Sequence, residues 1–148
     1  MRSRLPAITF YGSLACNAAV LALGKARTGN AAKGVNCTAH WLKGEEAASM
    51  QDLNLVHSGT GVATNVAAVL FWAVLYDRAL GKQPGVVRAL FATLALGPVA
   101  AVADYKATPK RFTPGWELVF SKQDMAIIYA AMVAGMAYGA LSGRREVS

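Results

Sequence analysis

Charge is scarce in this sequence. Asp, Glu, Lys and Arg make up 16% of its 148 residues, against about 25% in an average soluble domain, and whole stretches carry none. Cysteine is nearly absent as well: Cys16 and Cys37 stand alone, neither in a Cys-x-x-Cys pair, which excludes a disulfide framework and argues against thiol-redox chemistry. Histidine occurs only at positions 40 and 57, without the His-x-x-x-His spacing that sets two ligands on one helical face. No Asp or Glu falls near the middle of an apolar segment, which counts against a proton-coupled transporter needing a carboxylate at depth. These deficits exclude a soluble enzyme, a disordered tail and a secreted disulfide module.

What is abundant is apolar sequence, 55% of the chain. A bilayer core about 30 Å thick is crossed by about 20 helical residues, and four segments of that kind are present. The first is Leu5–Gly24, free of charge and preceded by Met1-Arg2-Ser3-Arg4. A signal peptide shares that pattern, but no small-x-small site followed by a polar stretch appears, so a retained span is expected. The second covers about 55–76, behind Ser49-Met50-Gln51-Asp52, a capping-box-like pattern that predicts a helix start near Met50. The third, 86–103, carries Arg88, expected to snorkel, and Gly97-Pro98, expected to kink the helix without ending it. The fourth, 125–141, follows Ser121-Lys122-Gln123-Asp124, a second cap of the same form. The expected fold is therefore all-α: a single membrane domain over 1–148, a bundle of four transmembrane helices with short interfacial helices in two outer loops.

Net charge is +7, which in a soluble chain would raise nucleic-acid binding. Here the basic residues flank apolar segments, where topology needs them, and no nucleic-acid partner is expected. Arg2, Arg4, Arg78, Lys82, Arg88, Arg144 and Arg145 fall in short segments on one side. Lys25, Arg27, Lys33, Lys43, Lys106, Lys110, Arg111 and Lys122 are spread over two longer loops diluted by acids. This density predicts a bacterial inner-membrane protein with both termini in the cytoplasm.

Small residues recur every fourth position, at Gly59, Ala63 and Ala67 and again at Ala131, Gly135 and Gly139. Such faces let helix backbones approach closely, either inside the bundle or in an oligomer. Asn17 and Asn65 lie inside the first two spans, and each needs a hydrogen-bond partner there. They serve as structural glue by bonding to each other, or else mark a polar path. His40, Glu45, Asp52 and His57 are the one group in the first outer loop with metal-ligating chemistry. Against a metal or haem site there stands an ordinary interfacial histidine beside a solvated acidic loop. Trp41 and Trp116 are the expected interfacial anchors, with Thr113-Pro114-Gly115-Trp116-Glu117 read as a helix start. Together the two outer loops are expected to lie over the outer mouth of the bundle, as a lid or as an ordinary aromatic belt.

The leading functional expectation is a non-enzymatic structural or accessory subunit, without cofactor, that packs in the bilayer against copies of itself or other membrane subunits. The alternative is a small metal- or haem-binding enzyme or redox protein with its site near His40 and His57. A channel or transporter using Asn17, Asn65 and Pro98 is the third reading.

Overall fold

In a bilayer a chain satisfies its backbone only by closing hydrogen bonds within each segment, and all four apolar segments are long helices. In the computed structural model, which describes residues 3–145, these are α1 (Leu5–Thr28), α4 (Leu55–Leu80), α5 (Val86–Ala107) and α6 (Lys122–Arg145). All four are long and apolar enough to cross a membrane. Two short helices, α2 (Ala31–Asn36) and α3 (His40–Lys43), follow α1 on its side of the bundle. Arg2 lies outside the described residues, as do the side chains of Arg111, Arg144 and Arg145.

The four helices form a ring in which α1 packs on α4 and α6, and α5 closes the ring by packing on both. Cross-helix partners run in opposite directions along the chain. Arg4 meets Asp77 while Cys16 meets Asn65, Tyr76 meets Thr93 while Ala79 meets Arg88, Gly97 meets Val133 while Asp104 meets Tyr129, and Ala7 meets Gly139 while Tyr11 meets Gly135. Ring neighbours are therefore antiparallel, and α1, α4, α5 and α6 alternate up and down. The core is built from residues four apart on each helix: Ile8, Gly12, Cys16 and Val20, then Val69 and Ala73, Leu96 and Ala100, and Ile128, Met132 and Met136. Phe10, Leu14, Phe71, Phe91, Leu94 and Tyr138 point outward, an arrangement that water would penalise and lipid accepts.

The closest approach is between α1 and α6. A Cβ on Gly135 would strike the Tyr11 backbone, and one on Gly139 the Ala7 backbone, so these glycines are what brings the two helices into backbone contact. At the end of the bundle where the chain starts, Arg4 ion-pairs with Asp77 and donates to the carbonyls of Asp77 and Gly81. At the other end, Ser121 and Asp124 exchange hydrogen bonds as a capping box for α6, and Asp124 also pairs with Arg27.

Arg88 is exposed near the start of α5 and donates to the Ala79 carbonyl near the end of α4. Three local expectations are corrected. The second helix begins at Leu55 and not near Met50, because Asn54 accepts from the His57 amide at 2.7 Å and supplies the cap expected of Ser49 and Asp52. Thr113 starts no long helix: Gly115 at φ +79° breaks the run, and only a single turn, Trp116–Leu118, follows. Finally, α5 continues past Ala103 through a π-wound turn to Ala107, which carries Asp104 into the helix.

Candidate functional site: a lidded pocket with one carboxylate

Residues 34–40 are all buried although the segment that holds them, 31–43, joins two spans. Asn30 caps its first helix by accepting from the Ala32 amide at 2.8 Å, and Gly34 lies directly on the backbone of α1 at Val20. Thr38 Oγ1 donates to the Gly61 carbonyl, and Thr64 Oγ1 donates to the Thr38 carbonyl, at 2.7 and 2.8 Å. A Cβ at Gly61 would collide with the Val35 carbonyl, so this glycine seats the segment on α4. Asn36 ties the far side, donating to the carbonyls of Met50 and Asp52 and accepting from Ser58.

The second loop clasps the first. Trp41 Nε1 donates to the Thr113 carbonyl at 2.6 Å, and His40 Nε2 lies 3.0 Å from the same oxygen. A carbonyl oxygen only accepts, so His40 carries its proton on Nε2. Thr113 Oγ1 donates to Glu117 at 2.6 Å, and Gly115 packs on the Cys37 carbonyl and the His40 ring with no room for a side chain. The loops thus form one lid. Cys37 is buried beneath it, and desolvation, with a further contribution from the Glu117 charge, pushes its thiol well above the ordinary range. It is no nucleophile.

Beneath the lid lies a half-open cleft whose free space, about 20 Å³, holds little more than a water molecule. Trp41, Pro114 and Trp116 face it from the lid, Asn65 and Trp72 from α4, and Asp104 and Tyr129 from α5 and α6. These include all three tryptophans of the chain. Tyr129 donates to Asp104 Oδ2 at 2.6 Å, and the Tyr129 ring meets Trp116 edge-on at a centroid distance of 5.2 Å. Asn65 Nδ2 donates to Asn17 Oδ1 at 3.1 Å and sits against Cys16 Sγ, fixing one wall. The indole N–H of Trp116 is buried with no hydrogen-bond partner, an unmet donor in a wall built of rings.

The residues singled out in the sequence are dispersed by the fold. His40 is engaged inside the lid, His57 lies against Asn54, and Glu45 and Asp52 are exposed. The suggested metal set does not assemble: among the described residues no three His, Cys, Asp or Glu side chains are grouped to hold an ion. Gly135 and Gly139 face α1, with Ala131 partly buried nearer the lid end of the same helix, whereas Gly59, Ala63 and Ala67 look away from the bundle interior and the two alanines are exposed. Trp41 is partly buried, edge-on to Phe112. Trp116 is a correction: at 2% exposure it is a core residue and reaches no interface.

Sequence reasoning missed Asp104, Tyr129 and Trp72. The available signal was spacing, since Leu96, Ala100 and Asp104 recur every fourth residue, and the first two are fully inward. Extending that face by one turn places the carboxylate inside the ring. Comparison with known protein families, with characterised proteins and with solved structures finds no match, so the site is read from its geometry.

Proposed function

We propose that this chain is a small multi-pass membrane protein that binds the polar end of a ligand at the half-open cleft between the helix ends and the lid. The observation that supports this reading is Asp104, a carboxylate turned into an aromatic pocket. Ionisable groups at such positions are costly and mark binding or transport paths. The unmet Trp116 donor in the same wall supports it too. We place the protein in a bacterial inner membrane with its termini in the cytoplasm, so that the lid faces outward. Arg4, Arg78, Lys82 and Arg88 gather at the opposite end, as cytoplasmic flanks do.

A second reading, a non-enzymatic structural or accessory subunit associating with copies of itself or with other membrane subunits, is supported by the small-residue row Gly59, Ala63 and Ala67. That row lies on the outward face of α4, where a neighbouring helix could approach closely.

Native mass spectrometry of the protein extracted from its own membrane in a maltoside detergent separates the two. The ligand reading expects one chain, or copies of it, carrying a small mass that is lost in Asp104→Asn. Other polypeptides in the mass favour the subunit reading, and a chain bare of any small mass contradicts the ligand reading.

A further inference from the structure

We infer that the end of the bundle opposite the lid seats an anionic phospholipid, with its phosphate at Lys82 and Arg88 and an acyl chain along the outward face of α5. This seat is separate from the cleft and does not depend on what the cleft binds.

Charge at this end is one-sided. Arg4, Arg78, Lys82 and Arg88 gather where α1 begins and α4 gives way to α5, and among the described residues the one acid there is Asp77, which Arg4 takes. Arg78, Lys82 and Arg88 are exposed, and none of them forms an ion pair among the described residues. A basic residue at a membrane surface favours an anionic lipid about fivefold.

Arg88 is also held in place. Its Nε donates to the Ala79 carbonyl at 2.7 Å, its one acceptor among the described residues. The guanidinium lies over Gly81, where a Cβ would stand 3.0 Å from Nη1 and 3.1 Å from Cζ. Gly81, left-handed at φ +71°, makes that space by having no side chain. One edge of the fork is thus fixed, and its two Nη groups are left to donate to the paired oxygens of a phosphodiester. Lys82, next to Gly81, adds a second cation beside it.

The same strip continues into the bilayer as an apolar surface. Phe91, Ala95 and Val99 follow Arg88 at three- and four-residue spacing and are all exposed. The small Ala95 between two larger side chains leaves a shallow furrow for an acyl chain. A soluble phosphate would use the cations and leave this face idle, whereas a phospholipid meets both parts at once.

The full chain in maltoside micelles is offered equimolar phosphatidylglycerol and phosphatidylcholine with identical acyl chains, and native mass spectrometry counts the lipids that stay bound. The expected result is a preference for phosphatidylglycerol, about fivefold from each of Lys82 and Arg88. It should fall about fivefold in Arg88→Gln and likewise in Lys82→Gln, with helical circular dichroism unchanged. Lys106→Gln takes the same charge from the opposite, exposed end of the same helix and is expected to leave the preference intact. Asp104→Asn should leave it intact too, whereas a ligand of the cleft is lost in that variant.

Equal retention of the two lipids by the wild type would overturn the seat. An equal fall in Arg88→Gln and Lys106→Gln would overturn it as well, because net charge and not the held guanidinium would then set the preference. Release of the bound lipid by millimolar inorganic phosphate would assign the cations to a soluble anion and overturn the lipid as occupant.

Discussion

Gly135 and Gly97 offer a matched pair of Gly→Ala substitutions of different expected size. Both lie in long helices, where alanine is preferred to glycine by about 0.5–1 kcal/mol through backbone entropy. At Gly97 the nearest atom of another helix to the new Cβ is Val133 Cγ2 at 3.6 Å, an ordinary contact, but the following Pro98 crowds a Cβ in helical backbone, so the gain is offset and little net change is expected. At Gly135 it meets the Tyr11 backbone, which cannot rotate away, and Ala15 Cβ at 2.9 Å. Overpacking of this kind costs about 1–3 kcal/mol. Subtracting the propensity gain leaves Gly135→Ala destabilised by up to about 2.5 kcal/mol. The assay is thermal unfolding in maltoside followed by circular dichroism, with native mass recorded on the same samples. The expected outcome is a lowered midpoint for Gly135→Ala, a near-wild-type one for Gly97→Ala, and the same assembly mass for both. A wild-type midpoint for Gly135→Ala together with a reduced assembly mass would refute the reasoning, because the glycine face would then serve a neighbouring chain and not α1.

Other expectations are as sharp. Ser121→Ala removes the hydroxyl of the α6 cap and should cost about 1 kcal/mol in the same unfolding assay. Arg4→Met strands Asp77 and two carbonyls, and a loss of about 1–3 kcal/mol is expected. Cys37 should resist maleimide in the folded protein and react once it is unfolded. Its raised pKa also sets a sign for pH dependence: the unfolded thiol ionises near pH 8.5 while the folded one does not. Its contribution is therefore fully present below that pH and declines above it, and Cys37→Ser should flatten the decline in an unfolding series from pH 7 to 10.

The bundle was legible because it rests on signals internal to each segment. Charge-free length set the spans, Ser121 and Asp124 announced the α6 cap, and the depth of Asn17 and Asn65 demanded partners that they find in each other. The faces were harder. Gly59, Ala63 and Ala67 show the same four-residue spacing as Gly135 and Gly139, yet α4 turns its row outward and buries Gly61, Asn65 and Val69 instead. Spacing identifies a face but does not choose its neighbour, since in lipid small residues serve inner and outer contacts alike.

The site was hidden for a related reason. Asp104 and Lys106 look like the start of a polar loop, and the π-wound turn that keeps Asp104 helical has no signature in composition. The pocket also draws on residues from five separate stretches of chain, so no local window contains it. Trp116 reads as an interfacial anchor until the left-handed Gly115 folds the turn inward.

The central claim is that the two outer loops form a single lid over the Asp104 cleft, and hydrogen–deuterium exchange of the wild type and of Gly115→Ala tests it most directly. A Cβ at Gly115 would strike the Cys37 carbonyl, so the account predicts faster amide exchange in residues 31–43 and 110–120 together. Faster exchange confined to 110–120, or unchanged exchange in both, would contradict it.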